Sequence, residues 1–262
     1  DLIHPYISGN KWRKLKYILH AAPTKSPDTL LTFGGAWSNH LLATAYAGAK
    51  FGFTTTGFVR GEPVDNPVLK LCSLFGMELN FTSRESYRDK QALFQQHFAN
   101  NPRAYFIDEG GFSPEASKGC AELVSELDEP YDHFFCACGT GATAIGLMNG
   151  LTQSALPALF HAVPVLKDSG FLREQIKKQL IAPRTFGFHT DYHFGGYAKT
   201  KPALMDFIKK FTSSTGILIE PIYTGKLVFA VCDLLRNNYF KPGDRILIIH
   251  TGGLTGAFGY SW

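Results

Sequence analysis

The 262-residue chain is short of charge, of sulfur and of any long apolar stretch, and each shortage excludes something. Charged residues make up 18% of it, and 26 basic against 22 acidic residues leave a formal net charge of only +4. No basic run or stripe stands out, which argues against a nucleic-acid partner and leaves an anionic small molecule compatible. No apolar run approaches the roughly 18 residues that a membrane helix needs, so no membrane partner is expected. No secretory signal is visible either. The five cysteines, Cys72, Cys120, Cys136, Cys138 and Cys232, are odd in number and lack paired spacing, which speaks against a disulfide framework. Cys136 and Cys138 lie two apart in an apolar run and so face one side of a strand; they read as buried reduced thiols rather than metal ligands. A cytoplasmic location is expected on these grounds. The chain opens on Asp1 rather than Met, so the natural N-terminus is expected further upstream, and the end at Tyr260-Ser261-Trp262 is open to the same reading.

What is present is a regular alternation of short apolar strands and amphipathic helices. Hydrophobic residues reach 45%, enough for a substantial core in one large domain or two modest ones. Leu15, Ile18, Leu19 and Ala22 share a helical face after Asn10. Strands are expected at 29–33, 54–60, 78–82 and 104–107, with helices at 39–51, 66–75, 84–99 and 114–127. After Glu129-Pro130 the alternation restarts. Strands are expected at 133–138, 158–163, 185–189 and 245–250, helices from the turn after 138 to 151 and at 168–181, 202–212 and 226–237, and an extended stretch at 217–222. This order predicts an α/β protein made of two parallel-sheet, three-layer units, helices covering both sheet faces.

In such sheets ligands bind beyond the carboxyl ends of strands. Four glycine turns occupy those places: Gly34-Gly35, Gly110-Gly111, Gly139-Thr140-Gly141 and Gly252-Gly253. The strongest is Cys138-Gly139-Thr140-Gly141-Ala142-Thr143, which follows a strand and opens a helix, where N–H groups and two threonine hydroxyls favour a phosphate. A nucleoside triphosphate would want a Gly-Lys-Ser/Thr ending, which is missing. A dinucleotide fits the spacing of Gly139, Gly141 and Ala144, but the next strand ends His161-Ala162-Val163-Pro164 without the acidic residue that a ribose needs. A single phosphate monoester and a tight turn with no ligand both stay open.

Two more stretches break the local rules. In Ser8-Gly9-Asn10-Lys11-Trp12-Arg13-Lys14 three bases crowd a helix start, where the dipole disfavours cations. A solvated side chain is the ordinary fate of a lysine; one held at a helix N-terminus in a low-dielectric cleft is suited to imine chemistry. In Gly34-Gly35-Ala36-Trp37-Ser38-Asn39-His40, Ser38 or Asn39 can cap the following helix, and the same helix start can receive a carboxylate. His189 and His193 flank Asp191-Tyr192, and two histidines in a loop read as polar surface rather than a metal site.

Taken together, the ordered stretches Gly9-Asn10-Lys11-Trp12-Arg13-Lys14-Leu15, Gly34-Gly35 with Ser38-Asn39-His40, Cys138-Gly139-Thr140-Gly141, Pro221-Ile222-Tyr223-Thr224-Gly225-Lys226 and His250-Thr251-Gly252-Gly253 resemble the 1-aminocyclopropane-1-carboxylate (ACC) deaminase / D-cysteine desulfhydrase family. These are pyridoxal 5'-phosphate (PLP) enzymes of the tryptophan synthase β-like fold, fold type II. The resemblance implies a PLP cofactor in a cleft between two domains, a small α/β domain at residues 13–122 and a larger PLP-binding domain formed by 1–12 and 123–262. It implies that Lys11 carries the cofactor as an imine and that Lys14 lies near its phosphate. Asn39 would bond the 3'-oxygen of the ring and Ser38 the substrate carboxylate. Cys138, Gly139, Thr140, Gly141, Ala142 and Thr143 would form the phosphate cup, with Thr251 and Gly252 also at the cofactor. Tyr197 and Tyr223 match two active-site tyrosines, and Thr224 matches the partner of the pyridine nitrogen.

One departure separates the branches. The resemblance places glutamate and leucine in the ACC deaminases where this chain has Thr224 and Thr251, whereas the desulfhydrases carry threonines. A carboxylate keeps the pyridine nitrogen protonated and makes a strong electron sink, which a cyclopropane opening needs; a hydroxyl does not enforce that charge, and loss of a thiolate needs less help. The expected activity is therefore a PLP-dependent lyase acting on a small amino acid, D-cysteine or a relative, with ACC deamination as the enzymatic alternative and a (di)nucleotide-binding module as the alternative of another class. Trp37 stands where related enzymes mostly have glutamine and is expected to narrow the site. The family also suggests a homodimer.

Overall fold

The computed structural model describes residues 4–21 and 29–262, so Ala22 of the first helical face lies outside the described residues. The chain divides into two compact units, Asp1–Ala116 and Ser117–Trp262. Each holds a four-stranded sheet in which every pairing is parallel.

In the first unit, α1 (Asn10–Ala21), β1 (Thr29–Gly35), α2 (Asn39–Phe51), β2 (Thr54–Arg60), α3 (Pro67–Leu74), β3 (Met77–Thr82), α4 (Lys90–Phe98) and β4 (Ala104–Ile107) follow in order. The strand order is β3-β2-β1-β4. Residues 30–34 of β1 are buried, as a central parallel strand covered on both faces must be. Leu15, Ile18, Leu30, Ala43 and Ala47 make a core on one side. Leu31, Phe33, Phe58, Tyr87 and Leu93 make another. Within the latter, Phe33 and Phe58 stack at 5.2 Å.

Helix α5 (Pro114–Ser125) spans the division, and β5 (His133–Cys138), α6 (Ala142–Gln153), β6 (Leu159–Pro164), α7 (Gly170–Lys178), β7 (Phe186–Phe188), α8 (Pro202–Thr215), α9 (Thr224–Arg236) and β8 (Ile246–Ile248) complete the second unit. The order β7-β6-β5-β8 repeats the first unit's pattern. Helix α6 is buried along residues 142–151, in keeping with a helix that is apolar nearly all round. Phe135, Val163, Leu227, Ala230 and Val231 join β5, β6 and α9 in one core.

Three expected elements differ. The helix expected over 84–99 is a short 3-10 turn, Ser86–Arg88, followed by α4, because Asp89 leaves helical geometry and its carboxylate accepts the Ala92 N–H at 2.8 Å, restarting the helix. The stretch 217–222 joins no sheet among the described residues. Helix α9 begins at Thr224, two residues before the expected start at Lys226, for a reason that lies in the site.

Both sheets reverse direction at one point. In each, the first strand in the chain lies beside the last, β1 beside β4 and β5 beside β8. The crevice outside the carboxyl ends at such a point is where open α/β sheets take ligands. All four glycine turns lie there: Gly34-Gly35 at the end of β1, Gly110-Gly111 after β4, Gly139-Thr140-Gly141 after β5 and Gly252-Gly253 after β8.

Candidate active site

At the β1/β4 switch point, three residues separate Gly35 from the start of α2. Ser38 is extended, and its Oγ accepts the Leu41 N–H at 3.3 Å, so it caps α2. A Cβ on Gly34 would lie 2.5 Å from that Oγ; the strand end approaches the cap only because it lacks a side chain. Capping uses a lone pair of Ser38 and leaves its one hydroxyl proton for a further acceptor. Asn39 is the first residue of α2. The half-buried Trp37 packs against the cluster of Leu41, Leu42, Val59 and Val68.

The basic cluster opens α1. Lys11 Nζ donates to Asn10 Oδ1 at 2.7 Å. Lys14 is buried, and its Nζ donates to the Gly110 carbonyl at 2.9 Å, tying α1 to the glycine turn after β4. His40 completes this corner. Thr32 Oγ1 donates its one proton to the Ile107 carbonyl at 2.9 Å, so at 2.8 Å it accepts from His40 Nε2. His40 Nδ1 is therefore a lone pair, and it is buried without a hydrogen-bond partner among the described residues. Burial first, then Lys11 and Lys14, hold the His40 pKa well below its ordinary value, so the ring is neutral.

At the β5/β8 switch point, Cys138 ends β5 and is buried. Gly141 is left-handed, with φ at 85°, and begins α6 with no side-chain cap among the described residues. By contrast Ser38, Asn66 and Asp89 cap α2, α3 and α4 with side-chain oxygens. A Cβ on Gly139 would stand 3.1 Å from the Tyr223 ring, and one on Gly141 the same distance from Ile176 and Leu172. The glycines thus keep a concave backbone cradle at a helix start, with Thr140 half-buried and Ala142 and Thr143 buried. Tyr197 and Tyr223 meet edge to face at 6.0 Å. Thr251 is buried, and Gly252 turns the chain with φ at 75°.

Thr224 opens α9 and is wholly buried. Four residues earlier, the carboxylate of Glu220 is wholly buried as well. It accepts the N–H of Ile222 at 2.7 Å and those of Tyr223 and Thr224 at 2.8 Å. This carboxylate meets the N–H groups that a helix start leaves unused, so α9 begins at Thr224. Lys226, also buried, donates to the carbonyls of His193 at 2.8 Å and Gly196 at 2.7 Å, clamping the segment that leads into Tyr197.

Comparison with known proteins gives this architecture a family. Residues 1–252 match the family model described as pyridoxal-phosphate dependent enzyme. The chain belongs to the pyridoxal-phosphate dependent enzyme family. A Thermotoga maritima relative named as a candidate ACC deaminase is 32% identical, over 100% of this chain and 89% of its own. The Arabidopsis thaliana protein named as a mitochondrial bifunctional D-cysteine desulfhydrase/ACC deaminase is 28% identical, over 96% of this chain and 70% of its own. A crystal structure described as an ACC deaminase homologue superposes with a TM-score of 0.88 at 28% identity, covering 97% of this chain and 82% of that one. The fold is therefore the expected α/β fold type II, and PLP is the cofactor of the family.

The residues fit that group. A phosphate monoester suits an uncapped glycine-lined helix start, and a primary amine is present at Lys11 for covalent attachment. Sequence reasoning missed Glu220, Lys226 and the tautomer of His40. A lone Glu or Lys is ordinarily solvated, and nothing local marks Glu220 except its place just before Pro221. It also missed a polar chain across the second sheet. Asp244 Oδ2 meets His133 Nε2 at 3.1 Å, His133 Nδ1 meets His161 Nε2 at 2.9 Å, and His161 Nδ1 meets His189 Nε2 at 2.9 Å. His189 is thus half-buried in a hydrogen-bonded network that centres on the buried His161, not the polar surface expected of it.

Proposed function

We propose that the protein is a PLP-dependent lyase that eliminates the β-substituent of D-cysteine or a close relative, yielding pyruvate, ammonia and sulfide. The observation that carries this reading is Thr224, a buried hydroxyl on the first turn of α9 in the place where the ACC deaminases carry a carboxylate. Thr251, likewise matching the desulfhydrase branch, is buried beside the glycine turn after β8.

In this reading Lys11 binds the cofactor covalently, Lys14 supports its phosphate, and Cys138 to Thr143 cradle that phosphate on backbone N–H groups. Asn39 bonds the ring oxygen, while Thr224, Thr251 and Gly252 complete the binding set. PLP, when bound, supplies an electron sink for the bond broken at the substrate's α-carbon. Ser38 donates its remaining hydroxyl proton to the substrate carboxylate at the start of α2, where the helix dipole favours an anion. Once the substrate amine has displaced it, Lys11 Nζ is a free neutral amine and would take the α-proton. Tyr197 and Tyr223, packed edge to face, orient the substrate or move a proton. The five cysteines form no disulfide among the described residues and four of them are buried, which suits a reducing compartment such as the cytoplasm. Among the described residues no helix is long and apolar enough to cross a membrane. A homodimer is the assembly that we expect, to be read by sedimentation.

The test is direct. The purified protein should show a visible absorption band that Lys11→Ala abolishes, and it should release sulfide and pyruvate from D-cysteine. A protein that stays colourless with added PLP refutes the cofactor reading. 2-Oxobutyrate from ACC with no sulfide from D-cysteine reverses the choice of branch, which the relatives' names leave open.

A further inference from the structure

The hydrogen bonds around Thr224 account for every valence of its hydroxyl but one. A hydroxyl has one proton to give and two lone pairs to receive. The Glu220 N–H donates to Thr224 Oγ1 at 2.9 Å and occupies one lone pair. The proton has one acceptor among the described residues, Glu220 Oε1, at 3.3 Å. What remains for a ligand is the second lone pair.

This holds only if Glu220 is ionised, and the geometry favours that state. Both carboxylate oxygens already accept peptide N–H groups at 2.7 to 2.8 Å. An acid proton on either oxygen would deprive the three N–H bonds of their charged acceptor. The start of α9 favours a negative charge there. Burial is the larger influence and raises the Glu220 pKa above its ordinary value; the N–H groups of Thr224, Ile222 and Tyr223 and the Thr224 hydroxyl pull it only part of the way back, so it is the three short N–H bonds that argue for the carboxylate.

We infer that Glu220 is a positioning residue that turns Thr224 into a hydrogen-bond acceptor, so that Thr224 holds the pyridine nitrogen of PLP in its protonated form. This rests on the reading that PLP binds with its ring nitrogen at Thr224. It revises the expectation that a bare hydroxyl leaves the ring charge unenforced. The carboxylate acts on the ring through one hydroxyl, a weaker version of the direct carboxylate. A threonine that was free to turn would donate its proton to an unprotonated nitrogen instead. The buried carboxylate weights that choice by offering a charged acceptor at 3.3 Å for the same proton.

The experiment uses holoenzyme reconstituted with PLP labelled with 15N at the ring nitrogen, whose chemical shift separates protonated from unprotonated pyridine. Wild type should show the protonated shift across pH 6 to 9. Glu220→Gln should move it toward the unprotonated value by lowering the ring pKa at least tenfold in proton affinity. Since Glu220→Gln sets an amide NH2 against a peptide N–H and can fail to fold, Thr224→Val is the companion variant. It keeps the Glu220 cap and removes the hydroxyl, and it should also lose the protonated signal. An unprotonated nitrogen in wild type, or a shift unmoved in either folded variant, overturns the inference while the band lost in Lys11→Ala still upholds the cofactor reading. A protein that takes up no PLP overturns both. A Glu220 role confined to capping would lower thermal stability of the cofactor-free protein and leave the 15N shift alone.

Discussion

Acid should weaken the second unit through one residue, His161. It is wholly buried on β6, stacked on Phe135 at 4.1 Å and 4°. Both its nitrogens are engaged, by His133 and His189. The tautomers are set from one end. The Asp244 carboxylate accepts from His133 Nε2, so His133 Nδ1 accepts from His161, and His161 Nδ1 accepts from His189. A further proton on His161 Nδ1 would meet the N–H of His189. Burial first, then His189 and His133, lower the pKa from 6.5 to about 3. A folded pKa below the unfolded one means that the unfolded chain binds the extra proton first. The stabilisation is therefore complete above pH 6.5 and is lost as pH falls toward 3. Each pH unit in that window is worth about 1.4 kcal/mol, so the drop from pH 6.5 to 5 removes about 2 kcal/mol. Hydrogen exchange of the β5, β6 and β7 amides reads this locally, which matters in a chain of two units that need not unfold together. His161→Phe keeps the stacking ring and removes the titration. It should be less stable than wild type at pH 7, because two ring nitrogens lose partners, and it should lose about 2 kcal/mol less between pH 7 and 5. Equal losses in the two proteins, or a ring-proton titration of His161 centred above pH 5.5, would refute the reasoning.

Other expectations are simpler. Ser38→Ala removes the α2 cap and should cost about 1 kcal/mol, visible as faster exchange of the Leu41 amide, which loses its acceptor. Gly34→Ala forces a Cβ to 2.5 Å from Ser38 Oγ and should destabilise the first unit by about 1–3 kcal/mol, measured by urea denaturation; a neutral result would mean that the turn yields. Lys226→Met strands the His193 and Gly196 carbonyls and should cost about 2–4 kcal/mol, with new proteolytic cleavage between residues 193 and 197. Burial lowers the Lys226 pKa to about 8, but a neutral amine keeps two protons for its two carbonyls. Wild-type resistance to cleavage there should accordingly be the same at pH 7 and pH 9, and loss at pH 9 would show that the clamp needs the charge.

How much of this was legible in the chain depends on how local each cause is. Strand and helix periodicity depends on neighbouring residues, so the βα alternation, the two parallel sheets and the cap at Ser38 can be reasoned from sequence, whereas the cap and break at Asp89 went unforeseen. The four glycine turns could be found in the same way. Their convergence on two switch points could not, because strand order depends on which edge of the sheet β4 and β8 join. The fate of the charged groups was equally hidden. Lys14 is buried because a carbonyl 96 residues away accepts its proton, and His133 takes its tautomer from Asp244, 111 residues on. Glu220 acts over only four residues, yet its burial is what turns an ordinary surface side chain into the cap of α9. The sequence by itself determined which segments would be strands, helices and glycine turns, because those follow from side-chain period and backbone sterics. Only the tertiary structure decided which charges lose water and what replaces it, because desolvation is a property of everything packed around a group.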